Sequence, residues 1–337
     1  MSASVPSLRA AVIGLGVGEQ HARAFAATPG AQLRWVHDLD GDKMRRVVSE
    51  IGQGQAAASY DQILSDAQTD VVSIATYDDQ HAAQVVAAFG HGKHVFCEKP
   101  LCHSRADLAN VVGAWRASGR HLRCNLVLRA APLYRWLRDA VRAGELGEIY
   151  AVDGDYLYGR IHKITEGWRR DVENYSVTLG GGVHMIDLMM WLTGQRPTAV
   201  SAVGNRLATA GTGFRYDDFV AATFRFESGM VGRITSNFGC VHRHQHVLRV
   251  FGTKATFIHD DQGARLHRSR EPQEAPMTLT LDPKPASKGA LIPDFVGEIR
   301  YGIESAAGTR HEFDLIAACL GVDEALRAGG PTPLDYP

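Results

Sequence analysis

Three glycines stand at alternate positions in residues 14–22 (GLGVGEQHA), between a short apolar run and a helical pattern. A pyrophosphate bound at the N-terminus of a helix needs a backbone that turns sharply and can be approached closely, which side chains would prevent. The usual spacing is G-x-G-x-x-G, whereas Gly14, Gly16 and Gly18 are one residue tighter, with a glutamate behind them. We therefore predict that this turn, including Val17, holds the pyrophosphate of a dinucleotide.

An acidic residue ends the next strand-like run, since Asp38 lies 24 residues after Gly14. A carboxylate at that point accepts hydrogen bonds from the adenosine ribose and repels a 2′-phosphate, which favours NAD over NADP. One alternative is an ordinary surface acid at the end of a strand. In addition, Lys43, Arg45 and Arg46 lie near enough in the sequence to leave the use of both cofactors open.

Alternating strands and helices must position these residues. Short apolar runs alternate with helical patterns as far as residue 127, which predicts a parallel, doubly wound sheet. The predicted strands are Leu8–Ile13, Gln32–His37, Asp70–Thr76, His94–Cys97 and His121–Val127. The predicted helices are Glu19–Ala27, Asp42–Ile51, Tyr60–Ser65, His81–Gly90 and Ala106–Ser118.

After Pro132 the pattern changes to longer segments of period two, which predicts a mostly antiparallel sheet. The predicted strands are Ile149–Tyr158, Ala199–Asn205, Phe219–Phe226, Met230–Asn237, His246–Phe251 and Thr253–His259. One helix is predicted to end near Gly144, and the others are Gly182–Thr193, Phe295–Tyr301 and Glu312–Arg327. Residues 260–290 are predicted to be a surface excursion. We therefore predict an α/β protein with two domains, residues 1–127 and residues 128–337.

Charge and composition exclude several kinds of partner. The formal net charge is −1 and the pI is near 6.9, so no field attracts nucleic acid or an anionic membrane. No apolar run approaches the roughly 20 residues of a spanning helix, and the first residues lack the basic region of a signal peptide. The cysteines form no C-x-x-C pair, which indicates free thiols in a reducing compartment and a cytoplasmic location. They are Cys97, Cys102, Cys124, Cys240 and Cys319.

Two segments, TYDDQH at 76–81 and GKHVFCEKPL at 92–101, resemble the Gfo/Idh/MocA family of oxidoreductases, with the E-K-P tripeptide as the most specific mark. The likeness continues in the segments 146–160, 180–194, 250–257 and 291–295. It implies a Rossmann domain followed by an α/β domain with a large, mostly antiparallel open sheet. It also implies NAD(P)-dependent hydride transfer at a carbon of a small sugar-like substrate, and a homodimer or homotetramer built on the open sheet.

Within the E-K-P tripeptide, Lys99 matches the family's active-site lysine. An ammonium group beside the reacting carbinol donates to its oxygen and stabilises an alkoxide-like transition state. We expect Glu98 to orient that lysine, and we expect Lys99, Glu98, Thr76 and His81 to border the cofactor. The alternative is a Lys-Pro turn on the surface.

His184, in GGGVHMIDLMMWLTG, matches the family's catalytic histidine. Its place behind three glycines predicts the start of a helix, whose positive end favours a neutral imidazole that is ready to accept a hydroxyl proton. We expect Asp187, one turn later, to orient His184 or to cap the helix. A packed core histidine is the alternative. Many family members carry an aspartate where this chain has Gly180, and members that act on nucleotide-linked sugars often lack it.

Cations and aromatic side chains share the segment 156–175, YLYGRIHKITEGWRRDVENY, which borders the substrate in the family. Tyr156, Arg160 and Arg169 suit a sugar ring that carries an anionic group, such as a carboxylate or a diphosphate. A solvated loop with local ion pairs is the alternative.

Two further groups of residues each have two interpretations. The alternating His242, His244 and His246 share one face if they lie on a strand, but no cysteine or carboxylate completes a metal set. We therefore expect no metal, and a polar face instead. Arg129 and Pro132, in LRAAP, match a family segment that follows the last Rossmann strand, and Asn125 lies at the end of that strand. We expect them either to reach the substrate or nicotinamide, or to pack at the domain junction.

The sequence thus predicts an NAD-dependent oxidoreductase acting on a secondary hydroxyl or ketone of a sugar, nucleotide-sugar or cyclitol. His184 is the expected base, and Lys99 is expected to polarise the oxygen. Two alternatives remain. A glycosidase of the same family would recycle bound NAD, and a non-catalytic regulator would sense the cofactor or a sugar. The second alternative has no use for the pair of Lys99 and His184.

Overall fold

The computed structural model describes residues 6–302 and 306–337. These residues form two compact units, and each of the two contains two stretches of the chain. The first unit takes its residues from Met1–Ala130 and Pro285–Phe313, and the second from Ala131–Lys284 and Asp314–Pro337.

Within the described residues, the first unit contains a six-stranded sheet whose strand pairs are parallel. Its strands are β1 (Leu8–Ile13), β2 (Ala31–His37), β3 (Gln55–Ala56), β4 (Val71–Ile74), β5 (His94–Cys97) and β6 (Leu122–Cys124). Their order is β3-β2-β1-β4-β5-β6, which confirms the predicted doubly wound sheet. The order reverses between β1 and β4, and such sheets bind ligands at the carboxyl ends of the strands at this point.

Helices connect the strands of both units. They are α1 (Gly18–Ala27), α2 (Gly41–Ile51), α3 (Tyr60–Ser65), α4 (His81–Gly90), α5 (Arg105–Ser118), α6 (Pro132–Arg142), α7 (His162–Thr165), α8 (Val183–Thr193), α9 (Ile292–Tyr301) and α10 (Ala306–Ala328). No helix in the described part of the chain has both the length and the apolar character needed to cross a lipid bilayer.

The core of the first unit includes residues from α9, far along the chain. Ile292 and Phe295 belong to the same buried cluster as Phe25 on α1 and Phe96 on β5. The ring of Phe96 lies 5.6 Å from that of Phe295 and 6.5 Å from that of Phe25. The helix α9 therefore packs with the first unit, which differs from a division of the chain at residue 127. Apolar periodicity indicates that a segment is buried, but it does not say against which sheet.

Within the described residues, the second unit contains a nine-stranded sheet. Its strands are β7 (Ile149–Leu157), β8 (Pro197–Asn205), β9 (Phe219–Phe226), β10 (Val231–Asn237), β11 (Gln245–Gly252), β12 (Thr256–Asp260), β13 (Gly263–His267), β14 (Met277–Leu279) and β15 (Thr332–Pro333). Their order is β14-β13-β12-β11-β7-β10-β9-β8-β15. The pair of β7 and β10 is parallel and the other pairs are antiparallel, which confirms the predicted mostly antiparallel sheet.

One face of this sheet packs against α8. On β7 the buried residues alternate with more exposed ones, as expected of a half-buried strand, and Tyr156 is on the buried face. Gly154 on the same face lets the helix approach closely, since a Cβ there would lie 3.0 Å from Met185 Cε. The strand β7 therefore carries Tyr156 to the helix that bears His184.

The segment 260–290 differs from its predicted role as a surface excursion. It contains β13 and β14, which extend the sheet beyond β12 by antiparallel pairing. Hydrogen bonds to a neighbouring strand hold these short strands in the sheet, and local composition carries little signal for such pairing.

Candidate functional site

Each glycine of the turn between β1 and α1 has a different environment. Gly14 has a φ of +78°, and a Cβ on it would lie 2.6 Å from the carbonyl carbon of Ala75. A Cβ on Gly18 would lie 3.0 Å from Val12 Cγ1, so this glycine allows the helix and the strand to pack closely. No atom of the described chain lies within 4 Å of a Cβ built on Gly16, which leaves its backbone open to a ligand. The turn has the three properties that pyrophosphate binding requires.

Asp38 contacts this turn from the end of β2. Its Oδ2 accepts a hydrogen bond of 2.5 Å from the Leu15 N–H, and its Oδ1 accepts one of 3.0 Å from the Asp40 N–H. Burial raises the pKa of this carboxyl, but the two hydrogen bonds and the charge of Lys43 lower it below its usual value. An ionised carboxylate here retains lone pairs for ribose hydroxyls and repels a 2′-phosphate, so the residues present fit NAD.

The cations that left the use of NADP open have acidic partners. Lys43 Nζ is 3.7 Å from Asp38 Oδ2, and Arg45 bonds to Asp42. The guanidinium of Arg46 bonds to Glu19 at 2.8 Å and also to Glu50. These pairs reduce the positive charge that is available to a 2′-phosphate. They therefore support the preference for NAD that Asp38 indicates.

Glu98 and Lys99 follow β5, and the Lys99–Pro100 peptide bond is cis. Glu98 Oε1 accepts a hydrogen bond of 2.6 Å from Asn125 Nδ2, and His21 Nε2 is 3.3 Å from the same oxygen. Burial raises the pKa of Glu98, but the hydrogen bonds from His21 and Asn125 and the charge of Lys99 lower it to about 2. Glu98 Oε2 accepts a hydrogen bond of 3.2 Å from the Lys99 N–H. Glu98 thus holds the main chain of Lys99.

Thr76 and His81 follow β4 in the sequence, and His81 is the first residue of α4. The backbone of Thr76 lies against Gly14, because a Cβ on that glycine would be 2.8 Å from Thr76 N. His81 is fully buried, and its Nδ1 lies 2.7 Å from the carbonyl oxygen of Pro100. Because a carbonyl only accepts, Nδ1 carries the proton and donates it to Pro100. This bond gives His81 a role in fixing the turn that carries Lys99.

Arg129 lies in the interior of the first unit. Its side chain is 5% exposed, and its Nη1 is 2.9 Å from an oxygen of Glu312, whose side chain is 0% exposed. A second bond of 3.5 Å joins its Nη2 to the other carboxylate oxygen. This buried ion pair favours the packing interpretation of Arg129 over contact with a substrate.

In the second unit, three consecutive glycines precede His184, and each leaves room for a different side chain. A Cβ on Gly180 would collide with the hydroxyl of Tyr175, and one on Gly181 would collide with the ring of Tyr156. A Cβ on Gly182 would collide with the hydroxyl of Ser236. The glycines lie in a π-helical turn, Thr178–Gly182, a local widening that is frequent at functional sites.

His184 follows this turn on α8, and its side chain lies among aromatic and imidazole rings. Its ring centroid is 6.2 Å from Tyr156, in a stacked arrangement, and 5.9 Å from His246, in an edge-on one. Tyr156 is in turn 5.6 Å from Phe238 and 5.9 Å from Tyr158. We call these five residues the aromatic wall. It combines flat apolar faces with imidazoles that can bind hydroxyl groups.

The helical backbone begins earlier than the sequence predicted. It starts at Val177, and the N–H groups of residues 178–180 in its first turn bond to Ser176, so the positive end of the helix lies there and not at His184. The expectation that His184 sits at a positive helix end is therefore wrong, because the dipole effect falls off within the first turn. Asp187 is 1% exposed in the interior of α8, which excludes the capping alternative.

Arg160 and Arg169 lie on aromatic rings near Tyr156. The guanidinium of Arg160 is 5.1 Å from the centre of the Tyr158 ring, and that of Arg169 is 4.3 Å from the Trp168 ring. Arg160 follows Gly159, whose φ of +58° turns the chain sharply at the end of β7. The structure thus places the Arg160 guanidinium against Tyr158, and the charges of both arginines act on Tyr156.

The three alternating histidines do not share one face. The rings of His244 and His246 are 4.9 Å apart, but His242 bonds instead to Asp261 at 3.0 Å. The reason is that β11 begins after His244, so the alternation of a strand does not reach the first two histidines. Within the described residues, no group of three or more His, Cys, Asp or Glu side chains is placed to hold a metal ion.

Several residues that contact the predicted site residues of each unit were not themselves predicted from the sequence. Neither Ser236 on β10 nor Phe238, which follows this strand, was predicted. The period-two pattern of β10 did indicate that the Ser236 side chain is buried. Tyr175 was not predicted to approach Gly180, because a loop brings it there and no periodicity encodes that contact. His21 and Ser73 also went unnoticed. His21 Nδ1 lies 3.0 Å from Ser73 Oγ, and His21 Nε2 lies 3.3 Å from Glu98 Oε1.

Comparisons with known proteins define the class of this protein. Residues 8–126 match the model of an oxidoreductase family with an NAD-binding Rossmann fold. Residues 134–258 match the C-terminal domain of the GFO/IDH/MocA family. The chain belongs to the GFO/IDH/MocA family of oxidoreductases, and its first unit is an NAD-binding domain.

Individual relatives have carbohydrate-related names. Over 263 residues the chain is 28% identical to a 1,5-anhydro-D-fructose reductase of Ensifer adhaerens, which covers 77% of this chain and 74% of the relative. It is 25% identical over 262 residues to a myo-inositol 2-dehydrogenase of Thermotoga maritima, with 75% of each chain covered. A solved levoglucosan dehydrogenase, in complex with NADH and L-sorbose, matches 98% of this chain and 100% of its own, with a TM-score of 0.83 and 20% identity. This last match shows a shared fold.

Proposed function

We propose that this protein is an NAD-dependent dehydrogenase or reductase that transfers a hydride between nicotinamide and a secondary hydroxyl or ketone of a sugar or cyclitol. The observation that carries the proposal is the place of His184 in the aromatic wall. Aromatic faces pack against the C–H face of a sugar, and an imidazole beside them accepts a hydroxyl proton. The names of the two relatives, an anhydro-sugar reductase and an inositol dehydrogenase, support the same class of substrate.

In this proposal the side chains of the protein handle the proton and hold the oxygen. Bound NAD accepts the hydride, or returns it in the reverse direction. His184 takes the hydroxyl proton while the electron pair of the C–H bond leaves with the hydride, so that the carbinol becomes a carbonyl. Lys99 donates a hydrogen bond to the reacting oxygen and stabilises its developing charge. Glu98 positions Lys99 through the hydrogen bond to its main chain.

The test measures NADH at 340 nm while the protein and NAD⁺ are mixed with myo-inositol, levoglucosan, D-glucose or D-glucuronate. The reverse direction is tested with NADH and L-sorbose or 1,5-anhydro-D-fructose. We expect one class of these compounds to be turned over. Release of p-nitrophenol from a p-nitrophenyl glycoside without net NADH would instead identify the NAD-recycling glycosidase. If neither reaction occurs with any compound, the proposal is wrong.

Variants separate the catalytic roles from general effects on folding. We expect Lys99→Ala and His184→Ala to lower kcat/KM about 10²- to 10⁴-fold, the usual contribution of a positioned acid or base. The matched controls are Lys254→Ala and His91→Ala, since both side chains are exposed. A biological role that both Lys99→Ala and His184→Ala leave intact would instead favour the non-catalytic regulator.

A further inference from the structure

The arginines of the segment after β7 fall into two kinds. Arg170 bonds to Asp171 at 2.9 Å through its Nε. Arg160 and Arg169 have no carboxylate partner among residues 6–302 and 306–337. Each of these two lies on an aromatic ring instead. A guanidinium carries five N–H donors and always a positive charge, so two such groups without a counter-ion can bind an anion.

Arg160 is held in position by its neighbours. Its Nη2 is 2.8 Å from Nδ1 of His244. Because a guanidinium only donates, this imidazole nitrogen accepts, and the neutral ring carries its proton on Nε2. The Tyr158 ring makes the second contact with the Arg160 guanidinium. The turn before Arg160 requires glycine at position 159, since a Cβ on Gly159 would collide with the carbonyl of His242. The remaining donors of Arg160 are available to another acceptor.

The charges of Arg160 and Arg169 act electrostatically on Tyr156, whose ring stacks on His184. Burial raises the pKa of the Tyr156 phenol, and the charges of Arg160 and Arg169 oppose this rise. The Tyr156 ring is 6.2 Å from His184 and 5.2 Å from His244. The two guanidinium charges therefore influence the electrostatic potential at the aromatic wall. His184, the proposed base, stacks on Tyr156 in this wall.

We propose that Arg160 and Arg169 form an anion subsite next to the aromatic wall, and that the sugar handled by this protein carries a carboxylate or a phosphate group. This inference rests on the proposed function and names its class of substrate. Guanidinium groups pair with either anion through charge-assisted hydrogen bonds, often two at a time. A neutral cyclitol or hexose would leave the two arginines without a counter-ion, so we expect such compounds to be poor ligands.

The test compares acidic sugars with their neutral counterparts on the full-length protein loaded with NAD⁺. Binding by calorimetry and NADH formation are both measured for D-glucuronate, D-galacturonate and D-glucose 6-phosphate, beside D-glucose and D-galactose. We expect at least one anionic sugar to bind ten times more tightly than its neutral counterpart, and the binding to weaken as salt is added. The uronates and the sugar phosphate distinguish the two anions.

Variants test whether the two arginines are responsible. We expect Arg160→Gln and Arg169→Gln each to raise the KM or Kd for the anionic sugar at least tenfold, with little change in kcat. The matched control is Arg170→Gln, because its guanidinium is already paired with Asp171. Equal affinity for acidic and neutral sugars would overturn the subsite. So would an unchanged Kd for the anionic sugar in the variant that combines Arg160→Gln with Arg169→Gln.

The subsite and the proposed function can fail separately. Arginine-dependent binding of an acidic sugar without NADH formation would keep the subsite and contradict the dehydrogenase. Efficient oxidation of neutral sugars that both arginine variants leave unchanged would keep the dehydrogenase and contradict the subsite.

Discussion

The hydroxyl of Tyr175 occupies the space that a side chain at position 180 would fill. A Cβ on Gly180 would lie 2.9 Å from Cζ of Tyr175 and 3.6 Å from Cζ of Phe238, besides colliding with the hydroxyl itself. The family resemblance places an aspartate at position 180 in many members. In this chain a phenol from the preceding loop has taken that place, so the region keeps a polar oxygen but carries no negative charge there.

Restoring the aspartate is expected to be costly while Tyr175 is present. Gly180→Asp should lower the free energy of unfolding by about 1–3 kcal/mol, the usual cost of overpacking a core. The loss in the double variant with Tyr175→Ala should be smaller than the sum of the two single losses, since the ring that competes for the space is removed. Urea denaturation measures both. Gly113→Asp is the control, because no described atom lies within 4 Å of a Cβ at that exposed helical position. Additive losses in the double variant would contradict the shared space.

Asp38 is expected to set the preference for NAD. In the wild type, NAD should raise the melting temperature more than NADP at equal concentration, because the carboxylate binds the ribose and repels a 2′-phosphate. Asp38→Ser should weaken NAD binding about tenfold, as expected for the loss of a hydrogen bond to a charged group. The same substitution should reduce the difference between the rises in melting temperature that NAD and NADP cause. Asp61→Ser, on an exposed face of α3, is the control. A larger shift with NADP in the wild type would refute this role.

The buried pair of Arg129 and Glu312 is expected to stabilise the first unit. Removal of one partner leaves a charge in the interior, so Arg129→Met alone should cost about 3–5 kcal/mol in the free energy of unfolding. The double variant with Glu312→Leu should recover most of this loss, because no buried charge remains. Chemical denaturation measures both variants. A stable Arg129→Met protein whose KM alone is raised would instead indicate contact with the substrate.

Asp323 on α10 is expected to make stability depend on pH. Burial raises its pKa to about 7, against the hydrogen bond from Ser176 and the charge of Arg327, which lower it. The folded state therefore binds this proton more tightly than the unfolded chain, where the pKa is near 3.8. Its contribution to stability is complete below about pH 4 and is lost as the pH rises through 7.

Asp323→Asn removes that ionisation. The melting temperature of the variant minus that of the wild type should therefore increase as the pH is raised from 5 to 8. The hydrogen bond from Ser176 Oγ, 2.8 Å long in the wild type, can be kept by the amide oxygen. Asp139→Asn, which is exposed on α6, should follow the wild-type profile. Parallel profiles for wild type and Asp323→Asn would show that Asp323 does not titrate in this range.

Local patterns were sufficient for the glycine turn and for most strands of the two sheets, but not for β3, β13, β14 and β15. The apolar run of β1, the three glycines and Asp38 are close in sequence, and their contacts follow from a strand, a turn and a helix in succession. The buried strands β4 and β5 were equally clear from composition. A cytoplasmic location and assembly through the nine-stranded sheet stay predictions.

Contacts between distant residues could not be predicted in the same way. Ser73, His21 and Glu98 come from three different elements, and each is an ordinary residue in its own segment. The expectation for His184 went wrong because glycines usually end or interrupt helices, whereas here Gly180 and its neighbours continue one. The helix instead begins after Ser176, whose Oγ accepts hydrogen bonds from the N–H groups of Thr178 and Leu179.

The return of α9 to the first unit has a consequence for the growing chain. A chain synthesised as far as residue 284 already contains the six described strands of the parallel sheet, yet it lacks Ile292 and Phe295, which belong to the buried cluster around Phe96. Domains generally fold as units and in the order of their synthesis. Here the N-terminal unit receives part of its interior only after most of the second unit has been made. Translation therefore completes the core of the first unit only after residues 131–284 of the second unit have been made.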